Sequence, residues 1–216
     1  TTGTTFFSLF NATASKTGYT TYENHTINMT NNLNLNIVLA ATGDSTLPLV
    51  NLIYPTNTSY NINISSLNYS ASDTNLQACW YSTNAGLTNT SVACGSNLTG
   101  LTSSEGANSW LVGANDTSGN FNSSVISFVK DTVIPTISIL SPLNSTYNVT
   151  SLSFNVTTSE PASWCGYRYD SAFGSWTKLT ALNSTYFNAT KSSMTEQQHF
   201  GTFSCNDTSG NLNSSS

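Results

Sequence analysis

The feature that most narrows what this chain can fold into is an internal repeat. Pro48-Leu-Val-Asn-Leu-Ile-Tyr-Pro55-Thr-Asn-Thr-Ser-Tyr60-Asn returns as Pro135-Thr-Ile-Ser-Ile-Leu-Ser-Pro142-Leu-Asn-Ser-Thr-Tyr147-Asn. Ala78-Cys79-Trp80-Tyr81 returns loosely as Trp164-Cys165-Gly166-Tyr167. Ala114-Asn-Asp-Thr-Ser-Gly-Asn-Phe-Asn-Ser-Ser124 returns as Cys205-Asn-Asp-Thr-Ser-Gly-Asn-Leu-Asn-Ser-Ser215. Three matches in one order, about 90 residues apart, mean that one structural unit is built twice.

The unit reads as β. Charged residues are only 7% of the chain, against roughly 25% in an ordinary soluble domain, and Asn, Ser and Thr supply the polarity instead. Their short side chains compete for backbone hydrogen bonds and disfavour helix interiors, whereas Thr suits strands. No stretch shows apolar residues at i, i+3, i+4 and i+7, but short alternating runs between turns recur: Val50, Leu52 and Tyr54; Ile137, Ile139 and Ser141; Trp110, Val112 and Ala114. Gly201, Phe203 and Cys205 are the counterparts of the last set. Each repeat has the roughly 100-residue size of an immunoglobulin-type sandwich. The expected fold is all-β, two tandem immunoglobulin-like β-sandwiches with an N-terminal extended β segment. The boundaries fall as 1–13, a free strand; 14–46, a β region allied to the first sandwich; 47–132, domain 1; and 133–216, domain 2. Within 14–46, Leu33, Leu35, Ile37 and Leu39 alternate as a strand would.

The four cysteines are even in number and lack C-x-x-C spacing, which argues against a zinc ribbon or redox site. Of the three possible pairings the simplest, one bridge per repeat, joins Cys79 to Cys94 and Cys165 to Cys205. Cys205 is expected to point into the core. The Cys165–Cys205 bond is expected to tie the two sheets together with Trp164 packed beside it, and Cys79–Cys94 to staple a hairpin. Such bridges imply an oxidising exterior or a hyperthermophile interior.

N-x-S/T sites begin at Asn11, Asn24, Asn28, Asn57, Asn63, Asn68, Asn89, Asn97, Asn115, Asn122, Asn144, Asn148, Asn155, Asn183, Asn188, Asn206 and Asn213. An Asn- and Ser-rich chain makes some by chance, but their spread over the whole length points to N-glycosylation, hence to an extracellular, cell-surface protein whose sugar hydroxyls replace charge as the source of solubility. Thr1 in place of Met fits a mature chain from which a signal was removed. The longest apolar run, Ile37 to Ala41, is too short to span a membrane. The net charge of −5 and the absence of a basic patch remove the usual electrostatic drive toward nucleic acid or anionic lipid. No cofactor is expected beyond covalent N-glycans. Asp116-Thr-Ser-Gly-Asn120 and Asp207-Thr-Ser-Gly-Asn211 read as strand-connecting turns. The rival reading, a calcium loop, has only one carboxylate in each.

Val129-Lys-Asp-Thr-Val-Ile-Pro135 at a domain junction, Ser141-Pro142 after a strand, and Asp207-Thr-Ser-Gly-Asn211 near the end resemble the immunoglobulin-like repeat modules of archaeal and bacterial surface proteins. The sequon-dense, two-domain whole is similar to the subunits of archaeal extracellular filaments called threads. That resemblance implies head-to-tail homopolymers with glycans outside. The 46 N-terminal residues have no repeat partner, which departs from a simple two-module pattern.

One asymmetry suggests how a polymer would form. After its turn, repeat 1 continues as Ser124-Val-Ile-Ser-Phe-Val-Lys-Asp-Thr132, the last strand of a sandwich, whereas repeat 2 offers nothing comparable up to Ser216. Domain 2 is therefore expected to lack its last strand. Thr5-Phe6-Phe7-Ser8-Leu9-Phe10-Asn11-Ala-Thr13 resembles Val125 to Thr132, with Phe7, Ser8, Leu9 and Phe10 standing against Ile126, Ser127, Phe128 and Val129. Thr5, Phe6, Phe7, Ser8, Leu9 and Phe10 are thus candidates for a donor strand that completes the C-terminal domain of an identical neighbour.

Chemistry that would make the chain an enzyme is hard to find. Its only histidines are His25, in a polar stretch, and His199, at the start of a predicted strand; the carboxylates stand singly; and no Gly-x-Ser-x-Gly, P-loop or His-Glu-x-x-His occurs. A different class of function is an adhesin or carbohydrate-binding module, with Tyr81, Tyr169 and Trp176 stacking on sugars. A third is a surface-layer or stalk fragment. In each case other cells or surfaces are conceivable partners.

Overall fold

The computed structural model describes residues 9–28, 37–39, 43–170 and 173–216. Strands β1 (Leu9–Ala14) and β2 (Tyr22–Asn28) pair antiparallel as a sheet of their own. Domain 1 follows with β3 (Leu49–Tyr54), β4 (Ser59–Tyr60), β5 (Ser66–Ser72), β6 (Leu76–Ser82), β7 (Thr90–Val92), β8 (Leu98–Thr99), β9 (Gly106–Asp116) and β10 (Phe121–Lys130). Its sheets run β3-β5-β8 and β4-β10-β9-β6-β7. Domain 2 holds β11 (Ile137–Ser141), β12 (Ser151–Thr158), β13 (Ala162–Tyr169), β14 (Thr177–Lys178), β15 (Thr180–Ala181), β16 (Tyr186–Ser192), β17 (Gly201–Asp207) and β18 (Leu212–Ser215), in sheets β11-β12-β16-β15 and β14-β13-β17-β18. The all-β expectation and the two sandwiches stand. The alternation over 33–39 does not yield a strand where it is described: residues 37–39 have no assigned element and Val38 is exposed, while 33–36 lie outside the described residues.

Each sandwich has one core, made by the inward residues of both sheets. In domain 1, Val50, Leu67 and Tyr69 of the smaller sheet meet Cys79, Trp110, Val112, Ala114 and Phe128 of the larger. In domain 2, Phe154, Val156 and Phe187 meet Cys165, Tyr167, Phe203 and Cys205. The period of two puts these side chains on one face and leaves their Asn, Ser and Thr neighbours outside. Superposing the repeats shows a volume exchange. Leu67 and Trp110 in domain 1 are replaced by Phe154 and Gly201 in domain 2, and the Phe154 ring lies 3.5 Å from where a Cβ on Gly201 would stand. The larger ring on one sheet fills the room left by the glycine on the other, as dense packing requires.

Both expected disulfides form. Cys79–Cys94 ties β6 to the segment just after β7, a staple across a hairpin as read from sequence. Cys165–Cys205 departs from expectation. The two residues stand directly opposite each other on β13 and β17, neighbours in one sheet with Cα atoms 4.1 Å apart, so the bond does not join the sheets. The physical reason is register: both positions face the core from adjacent strands, at the close spacing of an antiparallel pair. Trp164 is not beside the bridge in the core either. It lies half-buried on the other face of β13, with its ring over Gly166, where a Cβ would come within 2.5 Å of it. Domain 1 uses the same device with different partners, Trp80 over Gly113.

The Asp-Thr-Ser-Gly-Asn segments are turns, and they also fasten the chain that leads into each domain. Asp116 Oδ1 accepts the amides of Ser118 and Asn120 at 2.8 Å each, and Asn120 Nδ2 donates to Asp116 Oδ2 at 2.7 Å. Asn120 Nδ2 also reaches the carbonyl of Asp44 at 2.9 Å, and Asn122 Nδ2 reaches that of Pro48 at 3.0 Å. Asp207, Asn211 and Asn213 repeat every one of these bonds toward Asp131 and Pro135. Gly119 and Gly210 close the turns at φ 87° and 93°, where a side chain would be strained.

Candidate functional site

The feature most unlike an ordinary finished domain is one edge of domain 2. In domain 1, β10 pairs with β9 from Phe121 opposite Asn115 to Lys130 opposite Gly106. In domain 2, β18 pairs with β17 only from Leu212 opposite Asn206 to Ser215 opposite Phe203. The expectation that the last strand is missing is therefore corrected: it exists, but as a four-residue β18 against a ten-residue β10. Among the described residues nothing pairs with Gly201 and Thr202 on that side, so their outward backbone groups form a short unpaired edge of the kind that templates strand addition.

The surroundings of that edge are prepared in the same way in both domains but filled only in one. In domain 1, Phe128 is buried edge-on against Trp110, with ring centroids 5.1 Å apart, and against Tyr60 at 5.8 Å. Tyr60 is held by its hydroxyl, which accepts the Thr56 amide at 2.9 Å. Its strand β4 runs parallel to the end of β10, with Val129 N donating to Thr58 O and Asp131 N to Tyr60 O. In domain 2 the counterpart Tyr147 is held identically, its hydroxyl accepting the Leu143 amide at 2.7 Å. Yet Tyr147 is 40% exposed, and no strand forms there. The tyrosine is posed in the same way, and among the described residues no strand covers it.

Of the candidate donor residues, Thr5, Phe6, Phe7 and Ser8 lie outside the described residues. Leu9 and Phe10 belong to β1 and stand opposite Asn28 and Ile27 of β2. The leading segment is thus not wholly free as expected: its second half is half of a hairpin. Among the described residues β1 has β2 on one side only.

His199 does not open a strand; β17 begins two residues later. It sits in a cluster beside the open edge. Its Nδ1 is 2.6 Å from Asp170 Oδ2, its Nε2 is 2.8 Å from the Thr195 carbonyl, and its ring packs on Tyr169. The Asp170 hydrogen bond, then the Thr195 carbonyl, push the imidazole above the ordinary histidine range. Burial works against the Asp170 charge, but the Phe200 amide and His199 outweigh it and hold the carboxyl below its usual range. Burial, then the Asp170 charge, push the Tyr169 hydroxyl up. This group binds the end of β13 to the start of β17. His25 lies in β2.

Sequence reasoning missed two carboxylate groups that the repeat assembles. Asp44, Asp73 and Asp116 converge with oxygens within 4.8 Å of one another, and so do Asp131, Glu160 and Asp207. Reading each turn alone found one carboxylate; the fold adds one from the lead-in and one from the loop after β5 or β12. These hard oxygen donors are of the type that holds calcium. Burial, reinforced by the charges of Asp131 and Asp207, pushes the Glu160 carboxyl up. The signal available in sequence was the Asp placed four residues before both Pro48 and Pro135.

Asn57, Asn63, Asn89, Asn97, Asn144, Asn148 and Asn183 are exposed, while Asn68, Asn115, Asn122, Asn155, Asn188, Asn206 and Asn213 are half-buried. For Asn11, Asn24 and Asn28 only the backbone is described. Tyr81, Tyr169 and Trp176, the candidates for sugar stacking, are half-buried rather than presented. The Arg168 guanidinium lies over the Trp176 ring at 4.0 Å, and Trp164 meets that ring edge-on at 6.1 Å. None of the described helical or extended segments is a helix long and apolar enough to cross a membrane.

No family model matches the chain, and no curated protein matches it. Among solved structures it is similar to the fibronectin(III)-like modules of Clostridium thermocellum CbhA, at 14% identity and a TM-score of 0.39, over 76% of this chain and 88% of that one.

Proposed function

We propose that this chain is a structural, non-enzymatic subunit of a glycosylated extracellular filament, assembled head to tail by donor-strand complementation. The observation that carries the reading is the contrast between the covered edge of β9 and the half-covered edge of β17, with Tyr147 already posed like Tyr60. The donor is the leading segment of a second copy, about residues 4–11, whose Phe7, Ser8, Leu9 and Phe10 match Ile126 to Val129. Burying three or four large side chains at about 1.5–3 kcal/mol each, with the added backbone bonds, gives a slowly dissociating joint. A contact between different surfaces of identical copies does not close on itself and so makes a thread. The resemblance to archaeal threads and surface modules supports the same reading. Two disulfides suit an oxidising exterior, and the exposed sequons are available to glycans.

Sedimentation and negative-stain imaging test it. The full chain gives threads, and a chain lacking residues 1–12 gives folded or partly folded monomers. Threads that persist after that deletion contradict the mechanism, and a two-dimensional lattice would favour a surface-layer role. The sugar-binding alternative is weakened by Arg168, which occupies one face of Trp176; a glycan array checks it.

A further inference from the structure

The junction inside the chain contains a contact that the joint between chains could copy. Just past the end of β10, the Thr132 amide donates to Glu105 Oε1 at 2.7 Å and the Thr132 hydroxyl to Oε2 at 3.0 Å. Lys130 Nζ lies 3.6 Å from the same carboxylate. Glu105 therefore grips the final strand of domain 1 where it leaves the sandwich, and the Thr132 amide is the main influence holding its carboxyl below the ordinary range.

Domain 2 has the same glutamate, with no strand beside it among the described residues. Repeat equivalence places Gly201 at Trp110, and hence Glu196 at Glu105, Thr195 at Ser104 and His199 at Asn108. The local geometry agrees. Asn108 Nδ2 reaches back to the Ser104 carbonyl at 2.8 Å, and His199 Nε2 reaches back to the Thr195 carbonyl at 2.8 Å. The turn bearing the glutamate is closed the same way in both domains. Glu196, however, is exposed and makes no hydrogen bond or ion pair among the described residues. In the leading segment, the alignment that puts Leu9 at Phe128 puts Thr13 at Thr132. Position 130 becomes the uncharged Asn11, so the threonine alone remains to be gripped.

We infer that Glu196 is the clamp that sets the register of the arriving strand, accepting the backbone amide and hydroxyl of Thr13 from a second copy. This rests on the donor-strand reading above and goes further, because it fixes which donor residue meets which acceptor residue. The clamp stands just past the donor segment, so a slip by one residue would lose it along with the seating of Leu9. A paired alternation turns all side chains over on such a slip.

The test uses polymers of the full chain carrying Glu196→Ala, Thr13→Val or both, with dissociation followed in guanidinium. Each single variant dissociates faster than the unmodified chain, Glu196→Ala at least tenfold and Thr13→Val, which keeps the backbone amide, less, and the double variant no faster than Glu196→Ala alone, as for partners in one contact. Singles at the unmodified rate, or effects that multiply in the double variant, overturn the clamp. Melting of the 1–12-deleted monomer is unchanged by Glu196→Ala; a lower melting temperature would assign Glu196 a role within its own domain and overturn it too. If the 1–12 deletion still polymerises, the donor-strand reading itself fails. If that deletion abolishes polymers and the point variants have no effect, only the clamp fails.

Discussion

Domains 1 and 2 are two versions of one sandwich that differ at the edge beyond β9 and β17 and in the facing sheet, where β8 pairs with β5 over two residues and β16 with β12 over seven. Both fasten their lead-in chain with the same Asp-Thr-Ser-Gly-Asn turn, both seat a tyrosine by the same amide, and both lay a tryptophan over a glycine on the outer face. Domain 1 runs β10 along the full edge and buries Phe128 beneath Tyr60, while among the described residues β18 of domain 2 pairs over four residues. Domain 2 also carries its bridge between adjacent strands, where domain 1 has Ala114 opposite Cys79 and sends that cysteine to Cys94 instead. The cross-link thus ties β17 to its neighbour β13, on the side away from β18.

The largest effect expected from breaking this contrast comes from the disulfides. Replacing Cys165 and Cys205 with alanine costs domain 2 roughly 4 kcal/mol, and replacing Cys79 and Cys94 costs domain 1 roughly 3 kcal/mol, on a loop-entropy account. Calorimetry that resolves two transitions checks that each loss falls on its own domain. Next, Phe128→Ala costs domain 1 about 3 kcal/mol by opening a cavity beside Trp110 and Tyr60. It should make domain 1 behave like domain 2, with Tyr60 becoming accessible to nitration. A smaller and equal effect in both domains comes from Asp116→Ala and Asp207→Ala, about 2 kcal/mol each, because buried turn amides lose their acceptor. Unequal losses would show that the turns are not interchangeable.

The smallest effect concerns pH and separates the domains again, since only domain 2 has the His199–Asp170 pair. His199 is raised, so its contribution is complete below the ordinary histidine value of 6.5 and is lost as pH climbs through the raised one. Asp170 is lowered, so its contribution is present above 3.8 and is lost as pH falls through the lowered value. Lowered carboxyls stand in both domains, Glu105 in domain 1 and Asp170 in domain 2, so both transitions weaken in acid; on the alkaline side the domain 2 transition should weaken relative to that of domain 1, and His199→Gln should flatten that loss. A domain 1 transition with the same alkaline loss would remove the pair as its cause.

Much of this was legible in the residues. The repeat located both domains, period-two alternation found Trp110, Val112 and Ala114 on one buried face, and the turn motif was read correctly. What was misread depended on which strands become neighbours. Cys165 and Cys205 both point inward, and inward direction alone does not say whether two residues face each other across sheets or stand side by side in one. Immunoglobulin sandwiches pack an aromatic beside their bridge, but Trp164 neighbours Cys165 on one strand, and adjacent strand residues point to opposite faces. The carboxylate groups were invisible because their members are brought together from separate loops. The expectation that domain 2 lacks its last strand missed the four-residue β18, since Leu212-Asn-Ser-Ser carries little strand signal of its own.

The most direct test of the central claim, that domain 2 awaits a strand from another copy, is complementation in trans. A peptide of residues 1–14 is titrated into chain lacking residues 1–12 while the two unfolding transitions are followed. The account predicts saturable binding, a higher melting temperature for domain 2 alone, and slowed hydrogen exchange at Gly201 and Thr202. Absence of binding, or a shift confined to domain 1, would contradict it.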